Sequence, residues 1–188
     1  MKVKFGRQTL LYPMPAVLVG AVVRGNPNFM TAAWCSIASH KPPAVAVALY
    51  KKRYTLEGIF ETGAFSINVP SSSMAARVDY CGIYSGRSED KSDMFELFHG
   101  SDKDIPMIKD CPVNLECKVL HKLEVGSHVL VIGEIVESYI SEECLVDGQP
   151  DPEKIDPLIY SPKVRTYHRL GEVVGRAFHM GKKAGGLK

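Results

Sequence analysis

Apolar positions along this chain fall mostly into runs of strand length. Residues 16–23 read Ala-Val-Leu-Val-Gly-Ala-Val-Val, nearly continuous and β-branched, which predicts a strand covered on both faces. Turn formers follow at Arg24-Gly25-Asn26-Pro27-Asn28, and the chain resumes as Phe29 to Ser36, so the two runs predict a hairpin. Past Pro42-Pro43, where a helix cannot continue, Ala44 to Tyr50 predicts a third strand. From Tyr54 to Thr62 the pattern changes period. Leu56, Ile59 and Phe60 sit at helical spacing, with Thr55 as the expected cap and Gly63 as the stop. Ala64 to Val69 predicts a strand ending at Pro70, and Ser71-Ser72-Ser73 predicts the start of a second helix.

The stretch from Tyr80 to Pro106 is turn-rich and charged, with a helical turn expected over Met94 to Phe98. Beyond it, Val113 to Leu120 and Val129 to Ile140 flank Lys122 to Ser127 and predict a long antiparallel hairpin. A surface loop is expected at Asp147 to Pro152, a short strand at Pro157 to Tyr160, and a mobile tail over residues 181–188. Many short strands, few helices and no strand–helix alternation predict a mainly β fold. The expected form is a closed or partly closed antiparallel barrel with short helical insertions, in one domain over residues 1–188.

Composition narrows the function classes. With 23 basic against 21 acidic residues and a net charge of +2, no general basic field exists to hold nucleic acid or an anionic membrane. No signal-peptide pattern and no apolar run of membrane-span length are visible, so a cytoplasmic location is expected. Five cysteines at irregular spacing fit reduced, buried thiols better than a disulfide framework. Neither they nor the six histidines show metal-ligand spacing, so no metal is expected. No Ser/His/Asp or Cys/His set assembles, and no Gly-x-Gly-x-x-Gly suggests a Rossmann site.

Three segments could carry ligand chemistry. The first places the Thr31, Ser36 and Ser39 hydroxyls among small side chains, where a flat ring could approach the backbone; tight strand packing explains the same pattern when the segment is taken alone. The second is Lys51-Lys52-Arg53-Tyr54-Thr55, directly ahead of the predicted helix. Cations, hydroxyls and free helix amides converge there on one anion, although a solvated basic loop fits equally well. Ser85-Gly86-Arg87, with Lys91 four residues past the arginine, could add a hydroxyl, flexible backbone and two cations, or form a polar loop held by Arg87 and Asp90.

Taken in order, Asn28 to Ser36, Lys41-Pro42-Pro43, Arg53-Tyr54-Thr55, Thr62 to Pro70, Asp79 to Gly82 and Ser85-Gly86-Arg87 resemble the flavin reductase-like family. The likeness is greatest to its flavoredoxin and archaeal ferric-reductase branch and covers roughly the first half of the chain. It implies an FMN-binding split β-barrel of Greek-key type, usually a homodimer. By position it assigns Thr31, Ala32, Ala33, Trp34, Cys35 and Ser36 to the isoalloxazine and ribityl chain. Arg53, Tyr54 and Thr55 fall to the phosphate, and Ser85, Gly86, Arg87 and Lys91 to closure over the site. Two positions depart from the family pattern: Ala33 replaces a common serine, removing one flavin hydrogen bond of ~1 kcal/mol, and Ser92 replaces a common aromatic.

The resemblance further implies that the flavin itself performs the redox chemistry, so no side chain is assigned as catalytic. NAD(P)H or a reduced protein is the implied electron donor, and free flavin, ferric iron or a partner protein the acceptor. A non-enzymatic flavin or haem carrier on the same barrel is the competing reading.

Overall fold

The computed structural model describes residues 1–184. Along the chain run β1 (Met14–Pro15), β2 (Val17–Val23), β3 (Asn26–Ala32), β4 (Cys35–His40), β5 (Pro43–Tyr50), α1 (Tyr54–Thr62), β6 (Ala64–Val69) and α2 (Ala75–Ile83). There follow β7 (Leu97–His99), β8 (Pro106–Ile108), β9 (Val113–Val125), β10 (His128–Ile140), β11 (Leu145–Val146), β12 (Gln149–Pro150), α3 (Pro152–Ile155), β13 (Ile159–Ser161), β14 (Thr166–His168) and α4 (Met180–Ala184). Of the expected tail, residues 181–184 belong to α4 and residues 185–188 lie outside the described residues.

The principal sheet has seven strands in the order β3-β2-β6-β9-β10-β5-β4, every neighbouring pair antiparallel. Its two edges, β3 and β4, are consecutive in the chain and separated only by Ala33 and Trp34. The sheet therefore curls back on itself through a continuous segment while leaving a seam without ladder hydrogen bonds, the split barrel expected from the sequence. Beside the seam, the Ala48 amide donates to the Trp34 carbonyl at 2.9 Å.

The uninterrupted apolar run of β2 has a direct cause. Val17, Val19 and Ala21 point into the barrel with Val45, Val47, Leu49, Phe65 and Val131. Ala16 and Leu18 face outward, yet they are covered by a second core of Phe29, Met74, Val78, Cys81 and Ile108. A strand buried on both faces has no reason to alternate. Helix α1 lies close on β2 because Gly58 has no side chain: a Cβ there would come within 2.2 Å of the Val22 carbonyl.

Four local expectations are corrected. The run from Phe29 to Ser36 is broken at Ala33-Trp34, giving two strands at opposite edges of the sheet, β3 paired with β2 and β4 with β5. Arg53, not Thr55, occupies the cap position of α1; Thr55 is buried in the first turn, and its Oγ1 accepts from Asn28 Nδ2 at 2.6 Å. The Lys122–Ser127 loop contracts to Gly126-Ser127, because Leu123 and Val125 continue the β9 ladder. The turn expected at Met94 to Phe98 is a 3-10 turn at Ser92–Met94, followed by β7.

Candidate functional site

Two cavities meet along β3. The first, of about 380 Å³, is lined by Met30, Thr31, Ala32, Ala33 and Trp34 along one wall. Asp79, Gly82 and Ile83 come from the C-terminal half of α2, and Tyr160, Arg165 and Tyr167 from the β13–β14 hairpin. The second, of about 420 Å³, is lined by Lys52, Arg53, Tyr54 and Thr55 at the start of α1, together with Asn28, Cys81, Tyr84, Ser85, Gly86 and Lys91. Met30, Tyr50 and Arg53 line both, so the two form one continuous depression.

The wall of the first cavity is low at its middle, where Thr31, Ala32 and Ala33 have short side chains, and it is held in place by α2. Thr31 Oγ1 donates to the Val78 carbonyl, and Arg53 Nη1 donates to the Gly82 carbonyl at 3.0 Å. At the opposite edge the Trp34 indole stacks on His128, with ring centroids 4.6 Å apart, and Tyr50 leans on the same imidazole at 5.6 Å. Tyr167 donates its hydroxyl to Asp79 Oδ1 at 3.0 Å; burial, then this carboxylate, push its phenol well above the usual tyrosine range.

The second cavity concentrates positive charge. Lys91 is only 2 % exposed, and its Nζ donates to the Tyr84 carbonyl at 2.9 Å. Burial lowers its pKa, with nearby Arg53 adding to the effect and Cys81 opposing it. The α1 N-terminus carries no side-chain cap; the Leu56 amide donates to the Arg53 carbonyl at 3.1 Å, and the Tyr54 and Thr55 amides ahead of it remain available to an anion. Gly86 is needed for the loop to pass: a Cβ there would fall 2.0 Å from Asn28 Oδ1 and 2.8 Å from the Tyr54 ring.

The sequence-assigned residues thus divide. Thr31, Ala32, Ala33 and Trp34 line the first cavity, while Tyr54, Thr55, Ser85, Gly86 and Lys91 line the second and Arg53 joins both. Cys35 and Ser36 lie instead on a third, largely apolar cavity of about 760 Å³ between the N-terminal arm and β4. Arg87 lines neither of the first two cavities. It pairs with Glu57, not with Asp90, and its guanidinium lies over the Tyr54 ring at 5.1 Å. Sequence reasoning missed Asp79, His128, Tyr160, Arg165 and Tyr167. Asp79 lies inside the Asp79 to Gly82 segment but is given no role there, and the others are assigned none because strand pairing and hairpin docking bring them together from distant segments.

The split barrel thus carries a small-residue wall that opens onto a cationic pocket. Residues 9–170 match the family model described as the flavin reductase like domain, and the chain belongs to that family. It is similar to the flavoredoxin of Methanosarcina acetivorans, at 42% identity and a TM-score of 0.95, covering 98% of this chain and 99% of that one. It is also similar to the flavoredoxin of Desulfovibrio vulgaris (Miyazaki F), at 42% identity and a TM-score of 0.89 over 96% and 100% of the two chains. A third neighbour is an FMN-binding protein from Thermus thermophilus with bound 1-cyclohex-2-enone, at 26% identity and a TM-score of 0.80, covering 94% and 97%.

Proposed function

We propose that the chain binds FMN non-covalently, with the isoalloxazine in the first cavity and the phosphate in the second, and works as an oxidoreductase of the flavin reductase or flavoredoxin type. The observation that carries this reading is the continuity of the two cavities through Met30, Tyr50 and Arg53. One end suits a flat ring, and the other offers Lys52, Arg53, Lys91 and uncapped helix amides to a dianion. The buried Lys91 ammonium, with one carbonyl partner for three N–H donors, is the group that most favours an anion beside it.

Bound FMN would accept and release electrons at its ring. The protein contributes position and environment. Thr31, Ala32 and Ala33 allow close approach to the strand backbone, Trp34 and His128 border the ring's edge, and Arg53 ties the phosphate end to α2. NAD(P)H or a reduced protein is the proposed donor, with free flavin, ferric iron or a partner protein as acceptor. The likeness to two flavoredoxins supports electron transfer between proteins, and the family supports flavin reduction. We place the protein in the cytoplasm as a homodimer; no helix among the described residues is long and apolar enough to cross a membrane.

The test is the visible spectrum of the purified protein, followed by anaerobic addition of NADH and NADPH separately. Flavin bands that bleach with a nucleotide establish a reductase and name its donor. Bands that bleach only with dithionite establish a carrier reduced by another protein. A colourless protein that takes up no added FMN refutes the reading.

A further inference from the structure

One groove and one segment of this chain are both apolar and both open to water. The groove is the third cavity, of about 760 Å³, between the N-terminal arm and β4; no residue lining it carries a formal charge. Strand β5 contributes to its floor. Val45, Val47 and Leu49 point from that strand into the barrel, while Ala46 and Ala48 lie on its other face in the groove, with Leu130 of β10 paired beside Ala48. A strand apolar on both faces is suited to being covered on both. For β2 the second cover is the core around Phe29 and Met74, whereas beside β5 lie the arm and the open groove.

The segment follows β14. Val174 and Phe178 are 89% and 92% exposed, and Leu170, Val173 and Met180 are exposed with them. Local bonds give it a defined shape. The amides of His179 and Met180 both donate to the Arg176 carbonyl, at 3.3 and 3.2 Å, and Met180 folds back on Gly175, where a Cβ would fall 2.1 Å from its Sδ. Phe178 is held in this turn at φ 61, a left-handed conformation that a bulky residue adopts at a cost. An ordered turn that presents a phenylalanine to water has the form of an anchor awaiting a pocket.

None of these residues lines the groove of its own chain. Strand β14, from which the segment leaves, is one edge of the sheet β1-β13-β14, and the groove runs along β1 at the other edge. Val173 borders the β11–β12 hairpin instead. We propose that residues 170–180 of each chain cross to a second copy in the dimer and seat Val174 and Phe178 in its groove. Each chain carries both halves of the contact, so two copies about a two-fold axis cover both grooves and both segments at once. The inference rests on the homodimer reading. It also completes the site, because Ala33, Trp34 and Ala48 line the groove and the first cavity alike, and the segment of one copy therefore borders the ring-binding cavity of the other.

Full-length protein carrying Phe178→p-benzoylphenylalanine is prepared with and without isotope labelling, and the two forms are mixed, irradiated and mapped by mass spectrometry. The expected product joins a labelled to an unlabelled chain, from position 178 to residues 8–15, 33–36 or 46–48. Adducts confined to one isotopic chain, or adducts between chains on another surface, overturn the proposal. Sedimentation of Phe178→Asp and Phe178→Leu gives an independent reading. Phe178 is exposed in its own chain, so neither change should disturb the fold of the single copy. Phe178→Asp should raise the dimer dissociation constant by at least about tenfold, and Phe178→Leu, which stays apolar, should recover most of the loss. A dimer of parent strength in Phe178→Asp would show that the segment does not hold the copies together. If the parent protein itself sediments as a monomer, the homodimer reading fails, and the exchange fails with it.

Discussion

Arg53 and Gly82 are joined by a hydrogen bond of 3.0 Å from the guanidinium Nη1 to the backbone carbonyl, which locks the start of α1 to the last turn of α2. Because Arg53 lines both cavities, the bond also fixes where the two meet. Arg53→Ala is expected to weaken FMN binding by about 30-fold, close to 2 kcal/mol, through loss of a charge-assisted contact and of this brace. Arg53→Lys keeps the charge but not the planar donor, so it should recover only part of the affinity. Fluorescence quenching of FMN by the apoprotein measures both; unchanged affinity in Arg53→Ala would remove this residue from the site.

Lys91 gives a pH signature. Its folded apo pKa lies below the ordinary 10.5 because burial disfavours the ammonium. Between that lowered value and 10.5 the unfolded chain holds the proton and the folded chain does not, so apo stability at this group rises with pH in that window. A bound phosphate favours the charged form and reverses the preference. FMN affinity should therefore fall as pH rises through the lowered pKa, below the pH at which an ordinary lysine titrates. Lys91→Met should bind FMN at least tenfold more weakly and lose this component of the pH dependence. Its apo stability should stay within about 1 kcal/mol, since removing a buried charge offsets the lost bond to Tyr84. A parent-like pH profile in Lys91→Met would exclude the lysine as phosphate ligand.

Much of this architecture was legible because local signals agreed with the fold. The bounds of α1 followed from Leu56 and Ile59 at helical spacing and from Gly63, which stops the helix in left-handed backbone at φ 68. The double burial of β2 was visible in its unbroken apolar run. The break at Ala33-Trp34 was not, because it arises from closure of the barrel rather than from any turn former. The same distinction governs the site. Thr31 and Arg53 stood out by their neighbours in sequence, whereas Tyr167 and Asp79 meet across 88 positions, and nothing adjacent to either marks the pairing.

The buried amide network around Asn68 should be a major stabilising feature. Its Nδ2 donates to the Leu18 carbonyl at 3.0 Å and to Ser66 Oγ at 2.9 Å, and its Oδ1 accepts from the Ile108 amide at 2.9 Å and from Asn114 Nδ2 at 2.8 Å. One side chain thus connects β2, β6, β8 and β9. Asn68→Ala leaves the Ile108 amide without that acceptor and is expected to cost about 3 kcal/mol in urea unfolding. A loss below about 1 kcal/mol would mean that water or Asn114 replaces the amide.

Gly58 sets the distance between α1 and the barrel. An alanine Cβ would sit 2.2 Å from the Val22 carbonyl and 2.8 Å from Val23 Cγ2, with backbone on one side leaving no rotamer to relieve it. Helix propensity favours alanine by up to about 1 kcal/mol, but the clash must displace the helix and costs more. Gly58→Ala is expected to destabilise by about 2 kcal/mol and, because α1 carries Arg53 to Thr55 at its start, to weaken FMN binding as well. Thermal melts with and without FMN separate the two effects; a stabilised variant would show that α1 can shift without cost.

The five cysteines are all free, and their environment argues against a redox role for them. Burial pushes the Cys35 thiol up to about 12, raises Cys111 and Cys117 further, and raises Cys81 against the opposing pull of Lys91. Thiolate is the nucleophilic form, so at neutral pH these groups should be unreactive in the native protein. Iodoacetamide should label native protein slowly and urea-unfolded protein at all five positions, as read by intact mass. Prior treatment of the native protein should leave flavin reduction unchanged. Rapid native labelling at Cys81 with loss of flavin would instead reveal a thiolate stabilised by Lys91 in the phosphate pocket, and with it a thiol participating in electron transfer.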